Sequence, residues 1–314
     1  MNGSMIRTEP VPTEELQREL FDKWISYLDA KPKTVQTYSR AIRQFLRWLV
    51  AEDIRRPRRE DVILYRDELI AKHRAATVQG YLAAIKQFFH WTSLQGLYPD
   101  ISAHVKGVKI DAGFKRDHLT TKQCARLLET VDRRTPKGLR NYAVLVVMMT
   151  TGLRTVEIRR ANVRDLSVSG DDTVLFVQGK GHDDRNDYVK LEPHAEEAVR
   201  AYLAIRHNLQ PEDPLFASAS NRNAGGRMTT RSISRLVKEQ MIEAHLISDR
   251  WTAHSLRHSA ATINLLNGAT PQETQQLLRH ANINTTLLYS HALERQKNNS
   301  EARIGNAIFG GQHG

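Results

Sequence analysis

Apolar positions in the first hundred residues recur at helical spacing, in four separate runs. Thr13, followed by two glutamates, opens TEELQRELFDKWISYLDA, the first predicted helix. The second is predicted over residues 32–52, where Val35, Tyr38, Ile42, Phe45, Leu46 and Leu49 share one face. Lys33, Gln36, Arg40, Arg43 and Arg47 occupy the other. A third covers about residues 59–71. The fourth, ATVQGYLAAIKQFFHWTSLQG, ends near Gly96 and sets Val78, Leu82, Ile85 and Phe89 opposite Gln79, Ala83, Gln87 and His90. No strand pattern interrupts these runs. Residues 13–98 therefore read as a small helical bundle behind a flexible lead, residues 1–12.

The periodicity lapses over residues 99–118, where Gly, Lys and Arg recur, and this stretch reads as a linker. Helical patterns resume in LTTKQCARLLETVD and in the very apolar KGLRNYAVLVVMMT, which ends at Thr151-Gly152. DDTVLFVQGKGHDDRNDYVKL alternates around a glycine-flanked turn and predicts a β-hairpin or the core of a small sheet. Further helices are predicted at about 193–207, 229–245, 254–267, 271–279 and 285–295. Thr270, Pro271 and Glu273 supply a capping box with proline in the first turn. The expected fold is mainly α with a small β-sheet. It has two domains, the second spanning 119–293, with a tail from 294 to 314; the length of 314 residues favours the same division.

Charge narrows the partners. The chain carries a formal net charge of +11, and such an excess on a protein usually meets a polyanion, with nucleic acid foremost. No Lys/Arg cluster borders an apolar helix, as a basic membrane-surface protein would require. Cys124, the single cysteine, excludes an internal disulfide and a cysteine-based zinc cluster, and its helical context reads as a small buried hydrophobe. The longest apolar run, AVLVVMM at 143–149, is too short to span a bilayer. The first residues lack a signal peptide's apolar core, so the expected location is cytoplasmic, nucleoid-associated through DNA.

Candidate chemistry is scattered over the second half. His254 and His258 stand four apart in HSLRHSAAT, so one helix face can present both. A zinc-protease pair would need a glutamate where Ser255 stands, and a third ligand besides. Arg257 lies in an otherwise apolar helical pattern, and a guanidinium in a cleft suits the planar fork of a phosphate. Arg154 follows the TTG turn where a helix restarts, a place that favours anions; a salt bridge to Glu157 is the plainer alternative. Lys180 sits between glycines at the hairpin tip, and a solvated turn lysine is its plain reading. His280 closes one helix, and Tyr289 lies one turn into the next.

Together and in this order, TGLRTVEI, GKG, HSLRHSAAT, LLRHANINTT and LLYSH make the chain resemble the tyrosine recombinases, the phage-integrase-like enzymes that break and rejoin DNA. The resemblance runs from about Leu119 to His291, and less specifically over the helical first half. Arg279 departs from it, since the family commonly has glycine before the histidine, and Ala260 replaces a more usual aromatic residue. The resemblance implies a core-binding domain and a mixed α/β catalytic domain closing as a C-shaped clamp on double-stranded DNA at specific core sites. It implies that Tyr289 attacks the scissile phosphate to give a 3′-phosphotyrosine, without metal, ATP or other cofactor. Arg154 and Arg257 would hold the nonbridging oxygens, and Lys180 would protonate the leaving 5′ oxygen. His254 would accept or steer the tyrosine proton, His280 would donate to phosphate, and Glu157 would support the site; His258 and His291 fit the pattern without needing a role.

Further DNA contacts are expected from Arg40, Arg43 and Arg47, and from Arg227, Arg231, Arg235 and Lys238 in the acid-free stretch NRNAGGRMTTRSISRLVK. Ile304, Ala307, Ile308 and Phe309 in the tail would, on the family pattern, dock on a neighbouring protomer of a homotetramer. With no room before Thr13 for an arm-binding domain, the compact type is expected. Integration or excision of a mobile element is the first expectation, with an accessory directionality factor as a conceivable partner. Chromosome or plasmid dimer resolution is the alternative. A vestigial DNA-binding regulator, a type IB topoisomerase and a metal-dependent nuclease are the rivals from other classes.

Overall fold

The computed structural model describes residues 14–109, 118–178, 187–297 and 299–309. It divides into two units, Met1–Gly113 and Phe114–Gly314. The first contains α1 (Glu14–Tyr27), α2 (Pro32–Ala51), α3 (Arg59–Lys72) and α4 (Ala75–Leu94). Their apolar faces meet in one core built on Trp24, Ile42, Phe45, Val62, Tyr65, Leu82, Ile85 and Phe89. α2 turns Ala41, Ile42, Phe45 and Leu49 inward and leaves Arg40, Arg43 and Arg47 exposed, as its two-faced pattern predicts.

Part of the stretch read as a linker belongs to this core instead. Val105 is 1% exposed, and Tyr98, Ile101 and Val108 pack against the same cluster. The Tyr98 hydroxyl donates to the Pro57 carbonyl at 2.8 Å. The four apolar side chains stand three, four and three residues apart, a helical spacing, but the segment is turns and irregular backbone, and they bury as a strap. Residues 110–117 lie outside the described residues.

The second unit begins with α5 (Thr121–Glu129), α6 (Pro136–Thr151) and α7 (Thr155–Arg160). A short 3-10 turn, Val163–Asp165, leads into β1 (Leu166–Ser169), β2 (Asp172–Val177) and β3 (Asp187–Lys190). The three strands form one antiparallel sheet in the order β1-β2-β3, with Leu175 opposite Leu166 on one side and Val189 on the other. α8 (Pro193–Ala204), α9 (Thr230–Glu243), α10 (Ala253–Leu266), α11 (Pro271–Leu278), α12 (Asn284–Lys297) and α13 (Ser300–Phe309) complete it. α6 is apolar nearly all round, with Ala143 through Met148 buried, and packs between α8 and α10 as an interior helix does. α11 starts on the expected capping box, Thr270 receiving the Glu273 N–H at 3.2 Å while its own N–H meets the Glu273 carboxylate at 2.7 Å. No helix among the described residues is long and apolar enough to cross a membrane.

Candidate active site and nucleic-acid interface

The site is assembled where α6 ends, α7 begins, and α10, α11 and α12 meet. Gly152 caps α6 in the left-handed conformation, φ +63°. A Cβ there would stand 2.5 Å from Leu278 Cδ2, so glycine is needed for the close approach of α11 as well as for the turn. The carbonyl of Gly152 accepts a hydrogen bond from Arg257 Nη1 at 2.6 Å. Arg257 Nη2 donates to the Leu278 carbonyl. Arg257 is 2% exposed and draws three helices together; burial first, then the Arg154 charge, brings its pKa down to about 9.

Arg154 takes the N-cap position of α7. Its backbone N–H donates to Glu157 Oε2 at 2.6 Å and its Nη1 to Glu157 Oε1 at 3.0 Å. The plain salt bridge and the phosphate-facing arginine are thus compatible, since the Arg154 side chain remains 27% exposed. Glu157 is fully buried and takes a second guanidinium, Arg279 Nη2, at 3.1 Å. Arg279 ends α11 with φ +54°, the left-handed conformation for which glycine is the unstrained choice. The departure noted in the sequence therefore falls on a backbone position that prefers glycine, and this chain fills it with a third guanidinium in the cluster. Its Nη1 donates to the Leu277 carbonyl at 2.9 Å. Burial lowers its pKa, against the pull of Glu157. Asp187, the first residue of β3, lies close enough to act on Arg279 electrostatically.

Three histidines border the arginines. His254 opens α10 with solvent access, and its ring packs edge-on against that of His258 with centroids 4.5 Å apart. Its pKa is lowered by desolvation, then by Arg257 and Arg154. His280, beyond α11, places Nδ1 2.8 Å from the Thr286 hydroxyl. Desolvation and the nearby arginines depress it to about 4. Tyr289 on α12 is 5% exposed and packs with Ala261 and Leu278. Its hydroxyl is hydrogen-bonded to His258 Nδ1, not to His254. Burial pushes Tyr289 up to about 12, with Arg257 opposing. His258 itself is brought down to about 4 by desolvation, then by His254, Arg257, His118 and His280.

The fold thus brings Arg154, Glu157, His254, Arg257, His280 and Tyr289 into one electrostatically connected cluster. Lys180 lies outside the described residues, between β2 and β3. Two contributors were named from the sequence without a role in the site. His258 was legible as the i+4 companion of His254, and Arg279 as an arginine at a helix end. What neither signal carried was the partner.

The expected DNA-contacting residues divide. Arg40, Arg43 and Arg47 line a recess of about 520 Å³ with Gln36, Ser39 and Gln44, and no acid is among them. Arg43 also stacks over the Phe21 ring at 5.0 Å. Arg231 and Arg235 are exposed on α9, Arg235 pairing with Glu239 at 2.8 Å. Arg227 and Lys238 have partners within the fold. Arg227 Nη1 donates to the Arg159 carbonyl at 2.8 Å and its Nη2 to Asn162 Oδ1 at 2.6 Å, tying α9's approach to the end of α7. Lys238 Nζ donates to the Ser248 carbonyl at 2.6 Å and to the Trp251 carbonyl at 3.3 Å. Both cations serve backbone carbonyls, which an amino-acid count cannot reveal.

Comparison with known proteins gives the family. The model described as "Phage integrase family" matches residues 117–296, and that of the "Phage integrase, N-terminal SAM-like domain" matches residues 18–97. The chain belongs to the phage integrase family. It is a tyrosine recombinase and acts on DNA. It is 32% identical over 269 residues to "Tyrosine recombinase XerC" of Pelobacter propionicus, covering 83% of this chain and 85% of that one. It is 31% identical over 268 residues to "Tyrosine recombinase XerD" of Halalkalibacterium halodurans, covering 82% and 86%. In fold it is similar to the XerH recombinase bound to palindromic difH in a post-cleavage complex, with TM-score 0.71, 20% identity, and coverage of 90% and 84%. A lambda integrase tetramer bound to a Holliday junction gives TM-score 0.68 at 18% identity, covering 91% and 82%.

Proposed function

We propose that this recombinase exchanges strands between two specific DNA sites through a 3′-phosphotyrosine on Tyr289. The observation that carries the reading is the convergence of a tyrosine with two arginines and two histidines from α7, α10, α11 and α12 on one site. Arg154 and Arg257 stabilise the charge that accumulates as phosphorus becomes pentacoordinate, and preorganised donors of this type are each worth on the order of 10²–10³ in rate. Glu157 holds the Arg154 backbone and side chain at once, which fixes the direction of the guanidinium. His280 donates to a phosphate oxygen, and Lys180 protonates the departing 5′ oxygen. Since Tyr289 is 5% exposed without DNA, attack requires its ring or α12 to shift when the phosphate arrives.

The exposed Arg40, Arg43 and Arg47 and the α9 pair Arg231 and Arg235 bind duplex phosphates, so both units grip the DNA. Ile304 and Ile308, 59% and 62% exposed on α13, supply the contact with a second protomer in a tetrameric synapse. Between dimer resolution and mobile-element traffic, relatives named as Xer recombinases and aligned over 83% of this chain favour resolution.

The experiment is covalent capture of a random-sequence duplex library by purified protein, with denaturation before recovery. The wild-type chain is expected to retain a recurrent core site. Tyr289→Phe is expected to bind the same site and release it on denaturation. Release by the wild type under all conditions would overturn the proposal and leave a DNA-binding regulator.

A further inference from the structure

The proton on Tyr289 has to leave during attack, and the geometry sets a ring nitrogen against its hydroxyl. His254, Arg257 and His258 form a continuous face of α10, being spaced i, i+3 and i+4. On that face His258, not His254, is hydrogen-bonded through Nδ1 to the Tyr289 hydroxyl. The two rings lie 5.3 Å apart between centroids, and His254 backs His258 edge-on from the preceding turn. We propose that His258 is the proton acceptor for Tyr289, taking the phenolic proton onto Nδ1 as the oxygen attacks phosphorus. This rests on the strand-transfer reading above.

The step balances. The phenolic O–H bond breaks and its proton passes to Nδ1, so the ring's own proton sits on Nε2 beforehand. The freed electron pair forms the new P–O bond. The bond from phosphorus to the 5′ oxygen breaks with its pair on that oxygen, which takes a proton from Lys180. His258 leaves the step as imidazolium and Lys180 as a neutral amine; rejoining reverses both transfers.

The surroundings fit an acceptor that stays idle until DNA is present. The groups facing His258 are His254 and Arg257 from α10, His118 from the segment before α5, His280 from beyond α11, and Tyr289 from α12. All but Tyr289 are cations or potential cations; desolvation first, and these charges after it, hold His258 neutral with its lone pair free to accept. With His258 near 4 and Tyr289 near 12, free tyrosinate does not form at rest. A phosphate among the arginines offsets the charge that suppresses His258, and its basicity rises as bond formation acidifies the phenol.

The test uses the captured core site as a suicide duplex, with either the normal scissile phosphate or a 5′-bridging phosphorothiolate. Sulfur leaves without protonation, which separates the tyrosine side from the leaving-group side. Asparagine keeps a polar group near the Nδ1 position but has no basic lone pair. His258→Asn is expected to slow single-turnover attachment on the order of 10²-fold on both duplexes, with DNA affinity retained. Lys180→Ala is expected to be slow on oxygen and restored on sulfur. The assignment is overturned if H258N attaches at the wild-type rate or faster, which would make the contact a resting clasp, or if sulfur restores it. Should H258N also lose affinity, imidazole added to H258A decides: recovery of rate upholds the acceptor, and no recovery overturns it. Failure of the wild type itself to attach would instead strike the strand-transfer reading.

Discussion

Glu157 is the structural hinge of the arginine cluster, and its replacement by glutamine gives a magnitude that can be worked out. Its carboxylate is fully buried and meets Arg154 at 3.0 Å and Arg279 at 3.1 Å, besides the Arg154 backbone N–H at 2.6 Å. Glutamine preserves the volume, but its Nε2 presents a donor to one guanidinium and the charge is gone. Arg154, 27% exposed, can turn to water; Arg279 is 10% exposed, and its Nε is buried without a partner among the described residues. Most of the penalty therefore falls on Arg279, and breaking a buried pair from one side costs about 3–5 kcal/mol. Arg279→Gly loses the same pair but relieves a left-handed backbone at φ +54°, a gain of about 1 kcal/mol, so its net cost is about 2–4 kcal/mol. In the double variant no guanidinium is stranded. The two costs should fall short of additivity by about 1–3 kcal/mol. Calorimetric unfolding of the four chains measures this, with the second unit's transition resolved from the first. Additivity within about 0.5 kcal/mol would refute the idea that Glu157 and Arg279 hold each other.

Other outcomes follow from the same geometry. His258 and His280 have pKa values of about 4 in the folded chain, against about 6.5 unfolded, so stability present above pH 6.5 is lost as pH falls toward 4. Each shift corresponds to about 3 kcal/mol at full value and about 1–2 after screening of these partly exposed rings; urea midpoints from pH 7 to 5 should flatten in an H258N/H280N chain. Gly152→Ala should destabilise the second unit by about 2–4 kcal/mol, from left-handed strain plus displacement of Leu278 Cδ2 at 2.5 Å, read as a lower melting temperature. Replacing Arg40, Arg43 and Arg47 by alanine should reduce the slope of log affinity against log salt by about 0.9 per lost phosphate contact. Arg227→Ala should lower the melting temperature and leave that slope unchanged, since its guanidinium serves carbonyls of the fold.

The helices were legible because period alone separates the faces of α2 and α4, and because Thr270 with Glu273 marks a start without tertiary help. β1 was missed: LSVS is four residues long, mostly exposed, and acquires its identity only by pairing with β2. α13 was read as a tail with a docking apolar patch and not as a helix, because its helical run is only ten residues long. The strap from Tyr98 to Val108 was hidden because Pro99 and Gly107 read as linker punctuation, although its four apolar positions keep a three-four-three spacing. At the site, residue types and order announced Arg154, His254, Arg257, His280 and Tyr289. Which histidine meets Tyr289 depends on how α12 crosses α10, and that is set by packing of Ala261, Leu278 and the phenol itself. The fate of Arg227 and Lys238 was likewise invisible, since carbonyls have no letter in a sequence.

The central claim is that one tyrosine becomes covalently joined to a DNA 3′ end, and identification of that linkage tests it most directly. Wild-type protein trapped on its core-site duplex would be digested with protease and nuclease and the adduct located by peptide mass spectrometry. The account predicts a 3′-phosphate ester on Tyr289 with a free 5′ hydroxyl on the other DNA fragment. An adduct on any other residue, a 5′-phosphate linkage, or cleaved DNA with no attached peptide would contradict it.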